Sequence, residues 1–326
     1  MYIVTGGAGF IGSAMVWKLN QMGIDDILVV DNLSKSEKWN NLVGLKYEDY
    51  LHRDQFLKFI LEGEDPFDTD AVIHMGACSS TTELDADFLM ENNYRYTQYV
   101  CRHCLGHDAR FINASSAATY GEGECGFDDD HAGIDALRPL NMYGYSKQLF
   151  DLWAKKGGFL DQIVSLKFFN VYGPNEYHKD DMKSVICKAH KQILETDKLK
   201  LFKSYREEYP HGGQKRDFVY IKDCVNIMAW FLENPDANGI FNIGTGTART
   251  WNDLANAVFA AMGRESNIEY IEMPESIRDK YQYFTQANMD KLAKAGCDVQ
   301  MTSLEDGAAD YVQNYLAKDN SYLMSR

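Results

Sequence analysis

Through the first half of the chain, short apolar runs alternate with longer stretches whose apolar residues recur every three to four positions. The runs at residues 3–4, 27–30, 71–73, 111–114 and 163–168 read as buried parallel strands. The stretches at 10–22, 53–61, 84–105 and 144–156 have helical spacing, and each is long enough to cross between parallel strands. The pattern predicts an α/β architecture: a doubly wound parallel sheet with right-handed crossovers.

Beyond Pro174 the alternation breaks. A lysine-rich helical piece (182–194) and a polar loop (204–214) precede strand and helix signals at 218–219 and 225–232. Phe241-Asn242-Ile243 followed by Gly244-Thr245-Gly246 reads as a late strand and turn. The sequence therefore divides into a sheet domain over 1–172, with the chain returning to the main sheet around 218–245, and a smaller C-terminal lobe built mainly from 173–326.

Composition narrows the ligands. The chain has 326 residues, 45% hydrophobic and 25% charged, enough to bury a full core. Its 48 acidic against 33 basic residues give a net charge of -15, which argues against nucleic acid and anionic membrane as partners, so a ligand phosphate must be held by local groups. A strand directly after Met1 leaves no room for a signal peptide, and no apolar run approaches the ~20 residues of a membrane span. The seven cysteines, odd in number and scattered, point to reduced thiols and a cytoplasmic location. Cys101-Arg102-His103-Cys104 lies in a helical pattern without a second such pair, so no metal site is expected.

Val4-Thr5-Gly6-Gly7-Ala8-Gly9-Phe10-Ile11-Gly12 joins a strand to a helix, the context in which spaced glycines bind a dinucleotide. Gly6 permits the turn, Gly9 lets a pyrophosphate approach the backbone and Gly12 lets the helix lie close to the strand. This is the opening of a Rossmann domain. Asp31 ends the second strand, where a carboxylate can accept from an adenosine ribose and so favour NAD. Asn32, Lys38 and Arg53 follow, and a cation there would pair with the 2′-phosphate of NADP.

Tyr143-Gly144-Tyr145-Ser146-Lys147 puts a phenol and an ammonium one turn apart on a helix. The lysine should lower the phenol's pKa from ~10, so that Tyr143 can exchange a proton with a substrate hydroxyl while Lys147 also holds the nicotinamide ribose. Upstream, Asn113-Ala114-Ser115-Ser116-Ala117-Ala118-Thr119-Tyr120-Gly121 ends a strand, where Ser116 can reach the same substrate oxygen.

With these motifs in place, the chain resembles the extended short-chain dehydrogenases/reductases that act on nucleotide sugars, the NAD-dependent epimerase/dehydratase family. Within it the likeness is greatest to the ADP-heptose 6-epimerases. Gly76-Ala77-Cys78-Ser79-Ser80-Thr81-Thr82, Asn92-Asn93-Tyr94, Phe169-Asn170-Val171-Tyr172-Gly173-Pro174, Lys215-Arg216-Asp217-Phe218-Val219-Tyr220 and Tyr281-Gln282-Tyr283-Phe284-Thr285-Gln286 carry the match. The resemblance implies an isomerase that interconverts the two C6 epimers of ADP-glycero-D-manno-heptose with tightly bound NADP, or NAD, supplying the heptose of the lipopolysaccharide inner core. It also implies a homo-oligomer, such as a pentamer.

The resemblance repeats the glycine, Asp31, Asn32, Lys38, Arg53 and Lys147 roles already read from the residues, and it alone supplies the others. Lys179 would be a second acid/base opposite Tyr143. Gly6, Gly9, Phe10, Ile11, Gly12, Asp31, Asn32, Lys38, Arg53, Met75, Gly76, Ala77, Cys78, Ser79 and Asn92 would surround the cofactor, with Lys147, Val171 and Lys179 at its nicotinamide half. Asn170, Asp181, Lys188, Phe202, Lys203, Ser204, Tyr205, Arg216 and Tyr281 would meet the substrate. The chain departs from the family pattern at Asp180-Asp181 and Lys188, and its 204–214 loop is longer. Three other readings remain: a 4,6-dehydratase, which Ala117 and Ala118 deprive of an acid; a UDP-hexose 4-epimerase; and a non-catalytic NADP-binding regulator.

Overall fold

The computed structural model describes residues 1–278, 281–319 and 321–325. Its main sheet has seven strands, all parallel, in the order β10-β6-β5-β4-β1-β2-β3. They are β1 (Tyr2–Thr5), β2 (Ile27–Asp31), β3 (Asp49–His52), β4 (Ala71–His74), β5 (Arg110–Ser116), β6 (Val164–Phe168) and β10 (Gly239–Ile243). Strands buried on both faces read as continuous apolar runs. That is why β2 and β4, buried at every position, were visible in the pattern, whereas β6, also buried throughout, alternates apolar residues with the buried Ser165 and Lys167.

Alternate residues of each strand feed two separate cores. Val4, Val29 and Ile73 face α1 (Phe10–Gln21) and the later helices, whereas Ile3, Leu28 and Val72 face α2 (Arg53–Glu62) and the helices of the other side. Helices therefore cover both faces, and the doubly wound expectation holds. The order of winding reverses between β4 and β1, which opens a crevice at the strands' carboxyl ends.

The segment expected as one helix over 84–105 is broken. It comprises α3 (Ala86–Leu89), a wider π turn over Met90–Arg95 and α4 (Tyr96–Gly106). The π turn places Asn93, fully buried, against the loop after β4, where it accepts from the Cys78 amide (2.8 Å) and donates to the Cys78 carbonyl (2.9 Å). Cys101 and Cys104 are buried free thiols of α4. Among the described residues there is no metal-ligating cluster and no helix long and apolar enough to cross a membrane.

After α5 (Met142–Lys156) and β6, the chain leaves the main sheet. β7 (Asn170–Tyr172) pairs with β9 (Lys215–Tyr220), which pairs with β11 (Ala248–Thr250) in a three-stranded sheet. Between them lie α6 (Val185–Thr196) and β8 (Leu199–Phe202), which pairs with β12 (Ile268–Ile271). The return to the main sheet expected around 218–245 is narrower than the sequence implied. β9 stays in the small sheet, and after α7 (Ile221–Glu233) only β10 rejoins, beside β6. Asp217 explains the path. Buried in β9, it accepts from the backbone amides of Thr245, Gly246 and Ala287, which fixes the turn beyond β10 and the 285–287 segment to the small sheet. α8 (Trp251–Ala261) follows β11, its start closed by a Thr250–Asp253 capping box.

Candidate active site

The glycine-rich turn is built so that its backbone is bare. Gly6 has φ +62°, and a Cβ there would meet the Gly76 backbone at 2.7 Å. A Cβ on Gly12 would stand 2.1 Å from the Gly6 carbonyl oxygen. α1 begins at Gly9 with no side-chain cap, which leaves its first amides and positive end for an anion. These features fit a dinucleotide's pyrophosphate. They open on a cavity of about 430 Å³, which Gly6, Gly9, Phe10, Ile11, Gly12, Met75 and Ser79 line together with Tyr143, Lys147 and Lys179.

A smaller cavity of about 190 Å³ continues from it and is lined by Asp31, Asn32, Lys38, Arg53, Gly76, Ala77, Cys78 and Asn92. Asp31 is already engaged there. Its Oδ2 accepts from the Ala8 amide (2.9 Å), and its Oδ1 accepts from the Asn32 amide and the Lys38 ammonium, both at 2.6 Å. Arg53 donates to Asn92 Oδ1. His178, close to Lys38, is pushed down to about 4 by burial first and by the Lys38 charge second.

A third cavity of about 380 Å³ shares Phe10, Ile11, Ser79, Tyr143, Phe168, Lys179 and Met182 with the first. Ser116, Ala117, Ala118, Asn170 and Val171 form one side of it and Trp251, Gln282 and Thr285 another. Tyr143 and Lys179 thus stand in a wall common to both spaces.

The local chemistry of that wall is specific. Asn141 caps α5 by accepting from the Gly144 amide (2.8 Å), which starts the helix one residue before Tyr143. Burial raises the Tyr143 phenol's pKa, and a hydrogen bond with Ser116 opposes that rise. The lowering expected from Lys147 does not occur: the opposing influence on the phenol is Ser116. Burial brings Lys147 itself down to about 8, against the pull of Asp151, so its own charge is weakened. Lys179 lies with Nζ 5.3 Å from the Phe10 ring centroid, and burial depresses its pKa while Glu176 opposes the fall. Glu176 is buried and holds the loop by accepting from the Gly173 amide (3.3 Å) and the Ser184 hydroxyl (2.7 Å).

Several residues expected at the substrate lie away from these cavity walls. Asp181 and Lys188 are exposed, and the Lys188 ammonium donates to the Asp181 carbonyl (2.7 Å). Phe202 lies edge-on to Tyr281, Ser204 exchanges hydrogen bonds with Arg206, and Lys203 and Tyr205 are tied to Glu272. Arg216 is buried one layer behind the wall, its guanidinium 5.8 Å from the Trp251 ring and 5.4 Å from the Tyr281 ring. The sequence reading did not single out Trp251, Met182 or Thr285. The capping box at Thr250 marks the start of the helix that presents Trp251, but nothing local aims that helix at the site.

Residues 2–244 match the NAD dependent epimerase/dehydratase family. The chain belongs to that family. As a member, it is 66% identical over 323 residues, 99% of its own length and 100% of the relative's, to the ADP-L-glycero-D-manno-heptose-6-epimerase of Nitratidesulfovibrio vulgaris. It is 51% identical to the enzyme of the same name from Fusobacterium nucleatum over 99% of this chain and 100% of that one. Among solved structures, the ADP-L-glycero-D-manno-heptose-6-epimerase of Helicobacter pylori superposes with a TM-score of 0.80 at 26% identity, covering 97% of this chain and 96% of that one. A nicotinamide dinucleotide suits the family and the glycine cradle alike.

Proposed function

We propose that this epimerase/dehydratase family member interconverts ADP-D-glycero-D-manno-heptose and ADP-L-glycero-D-manno-heptose by transient oxidation at C6, with NADP as its resident coenzyme. The reaction would supply heptose for the lipopolysaccharide inner core, from the cytoplasm. The observation that carries the reading is the shared wall: Tyr143 from α5 and Lys179 from the 173–184 loop both border the cofactor space and the substrate space. Inverting one carbon requires proton exchange at its oxygen in two orientations, and two acid/base groups on separate elements meet that requirement.

When bound, the coenzyme supplies hydride acceptance and return. The protein's own residues do the rest. Tyr143, hydrogen-bonded by Ser116, takes or gives the proton at the C6 oxygen in one orientation, and Lys179 does so in the other. Burial favours the neutral amine of Lys179, as a base at near-neutral pH requires. Lys147 lines the same cavity one helical turn from Tyr143, where its charge would hold the coenzyme's ribose. Ala117 and Ala118 line the substrate space and offer no carboxyl to protonate a departing hydroxyl, which favours epimerisation over dehydration.

Lys38 and Arg53 favour NADP. Lys38 neutralises Asp31, and both cations border the cavity at the end of β2. The test is Tyr143→Phe and Lys179→Met, with ADP-heptose turnover followed by nuclear magnetic resonance and coenzyme content by mass spectrometry. Each variant is expected to retain NADP and to lose about 100-fold or more in rate. Parent-rate turnover by Lys179→Met would refute the two-base mechanism.

A further inference from the structure

Behind the proposed catalytic wall lies an ion pair that the mechanism above does not use. Lys167 on β6 and Asp151 on α5 meet at 2.9 Å with side chains 1% and 0% exposed. Burying a charge pair so completely costs more than its attraction returns unless hydrogen bonds complete it. Here they do. Asp151 also accepts from the hydroxyls of Ser115 (2.8 Å) and Ser165 (2.7 Å), and Lys167 donates to the Thr119 hydroxyl (2.6 Å) with the Tyr120 ring 5.0 Å from its ammonium.

Each partner touches an element of the site. Ser115 precedes Ser116 at the end of β5, Thr119 belongs to the 3₁₀ turn that Ser116 starts, and Asp151 stands one helical turn beyond Lys147. We propose that Asp151 is a positioning residue for catalysis. Clamped by Lys167 and the two serines, it pins α5 to the strand end that carries Ser116 and presents its negative charge to the Lys147 ammonium.

The inference rests on the proposed function, in which Tyr143 transfers the proton and Lys147 supports it as a cation at the coenzyme's ribose. Asp151 and Cys78 attract the Lys147 charge and His74 also faces it; Lys167, Tyr120, His131 and Lys147 face Asp151. Loss of the carboxylate removes the main opposition to burial, which pushes Lys147 in the direction of deprotonation.

The experiment is the pH–rate profile of epimerisation between pH 6 and 10 for the parent, Asp151→Asn and the double variant Asp151→Asn/Lys167→Met, with thermal melting of each. The alkaline limb, where Lys147 loses its proton, is expected to fall by about one pH unit in Asp151→Asn. In the double variant the limb should stay with that of the single variant, because the shift belongs to the lost carboxylate. Equal limbs in all three proteins, with rates that merely follow melting temperature, would leave the pair a structural clasp and overturn the proposal. If Asp151→Asn does not fold, Ser165→Ala replaces it. Removing that donor loosens the clasp and disfavours the charged carboxylate, so the limb should fall in the same direction by a smaller amount, and an unmoved limb overturns the proposal. Lys147→Arg separates the two levels of inference. Loss of its alkaline limb supports Lys147 as the titrating group, whereas a limb that persists refutes that assignment rather than the placement of Asp151.

Discussion

Gly12→Ala tests the glycine cradle most directly. The added methyl would lie 2.1 Å from the Gly6 carbonyl oxygen and 2.7 Å from its carbon, whereas ordinary contact begins at 3.4 Å. About 1.3 Å of room is missing. No flexible side chain can give it, because the obstructing atoms are backbone and Gly6 is itself held close to the Gly76 backbone. The relief must come from α1 moving away from β1. Overpacking of this kind costs about 1–3 kcal/mol in stability, and α1 is wedged against α7, so the upper half of that range applies. The helix's first amides shift with it by roughly the same distance, and losing two of their charge-assisted hydrogen bonds to the pyrophosphate, at about 1.5 kcal/mol each, weakens binding by about 100-fold. Calorimetric titration with NADP and a melting curve would measure both effects. A dissociation constant within threefold of the parent's, with an unchanged melting temperature, would refute the close packing on which the cradle depends.

Two further outcomes concern Lys38 at the site and His74 in the core. Lys38→Ala should weaken NADP by about 10-fold or more while leaving NAD binding equal or stronger, as direct titration of both coenzymes would measure. Equal loss for the two would show that Lys38 acts on the fold rather than on the 2′-phosphate. His74 predicts a pH effect on stability. Burial pushes its pKa down to about 3, and its ring bonds to the Thr5 and Thr97 hydroxyls at 2.7 and 3.0 Å. The unfolded chain takes up a proton below about 6.5 that the folded imidazole refuses until about 3, so stability falls as pH drops through that window, by about 1.4 kcal/mol per unit. In urea titrations at pH 6.5 and 4.5, His74→Gln should lose less stability on acidification than the parent; equal losses would count against the burial argument.

The strands that sequence revealed are those buried on both faces. Asp49–His52 escaped because β3 is an edge strand with polar ends and half-exposed side chains, so no apolar run marks it. The helical pattern over 84–105 was correctly periodic, but the π turn that aims Asn93 at the Cys78 backbone changes the register without breaking the apolar sequence. At the site, the glycines, Ser116, Tyr143 and Lys147 were legible because strand end, turn and helix start are local patterns. The far side of the substrate space was not. Trp251, Gln282 and Met182 come together only through the folding of three separated segments, and no spacing within any one of them encodes the meeting. Lys179 looks like a loop lysine until Glu176 and the Phe10 ring are seen to hold it.

The ion pair at the end of β2 has an evolutionary corollary. Because Lys38 covers Asp31, losing the lysine turns a neutral pair into one bare carboxylate at the same spot, a change of one unit of charge from a single codon. On the NADP reading proposed above, the choice of dinucleotide turns on one side chain, and a lineage crosses from one coenzyme to the other by a single substitution.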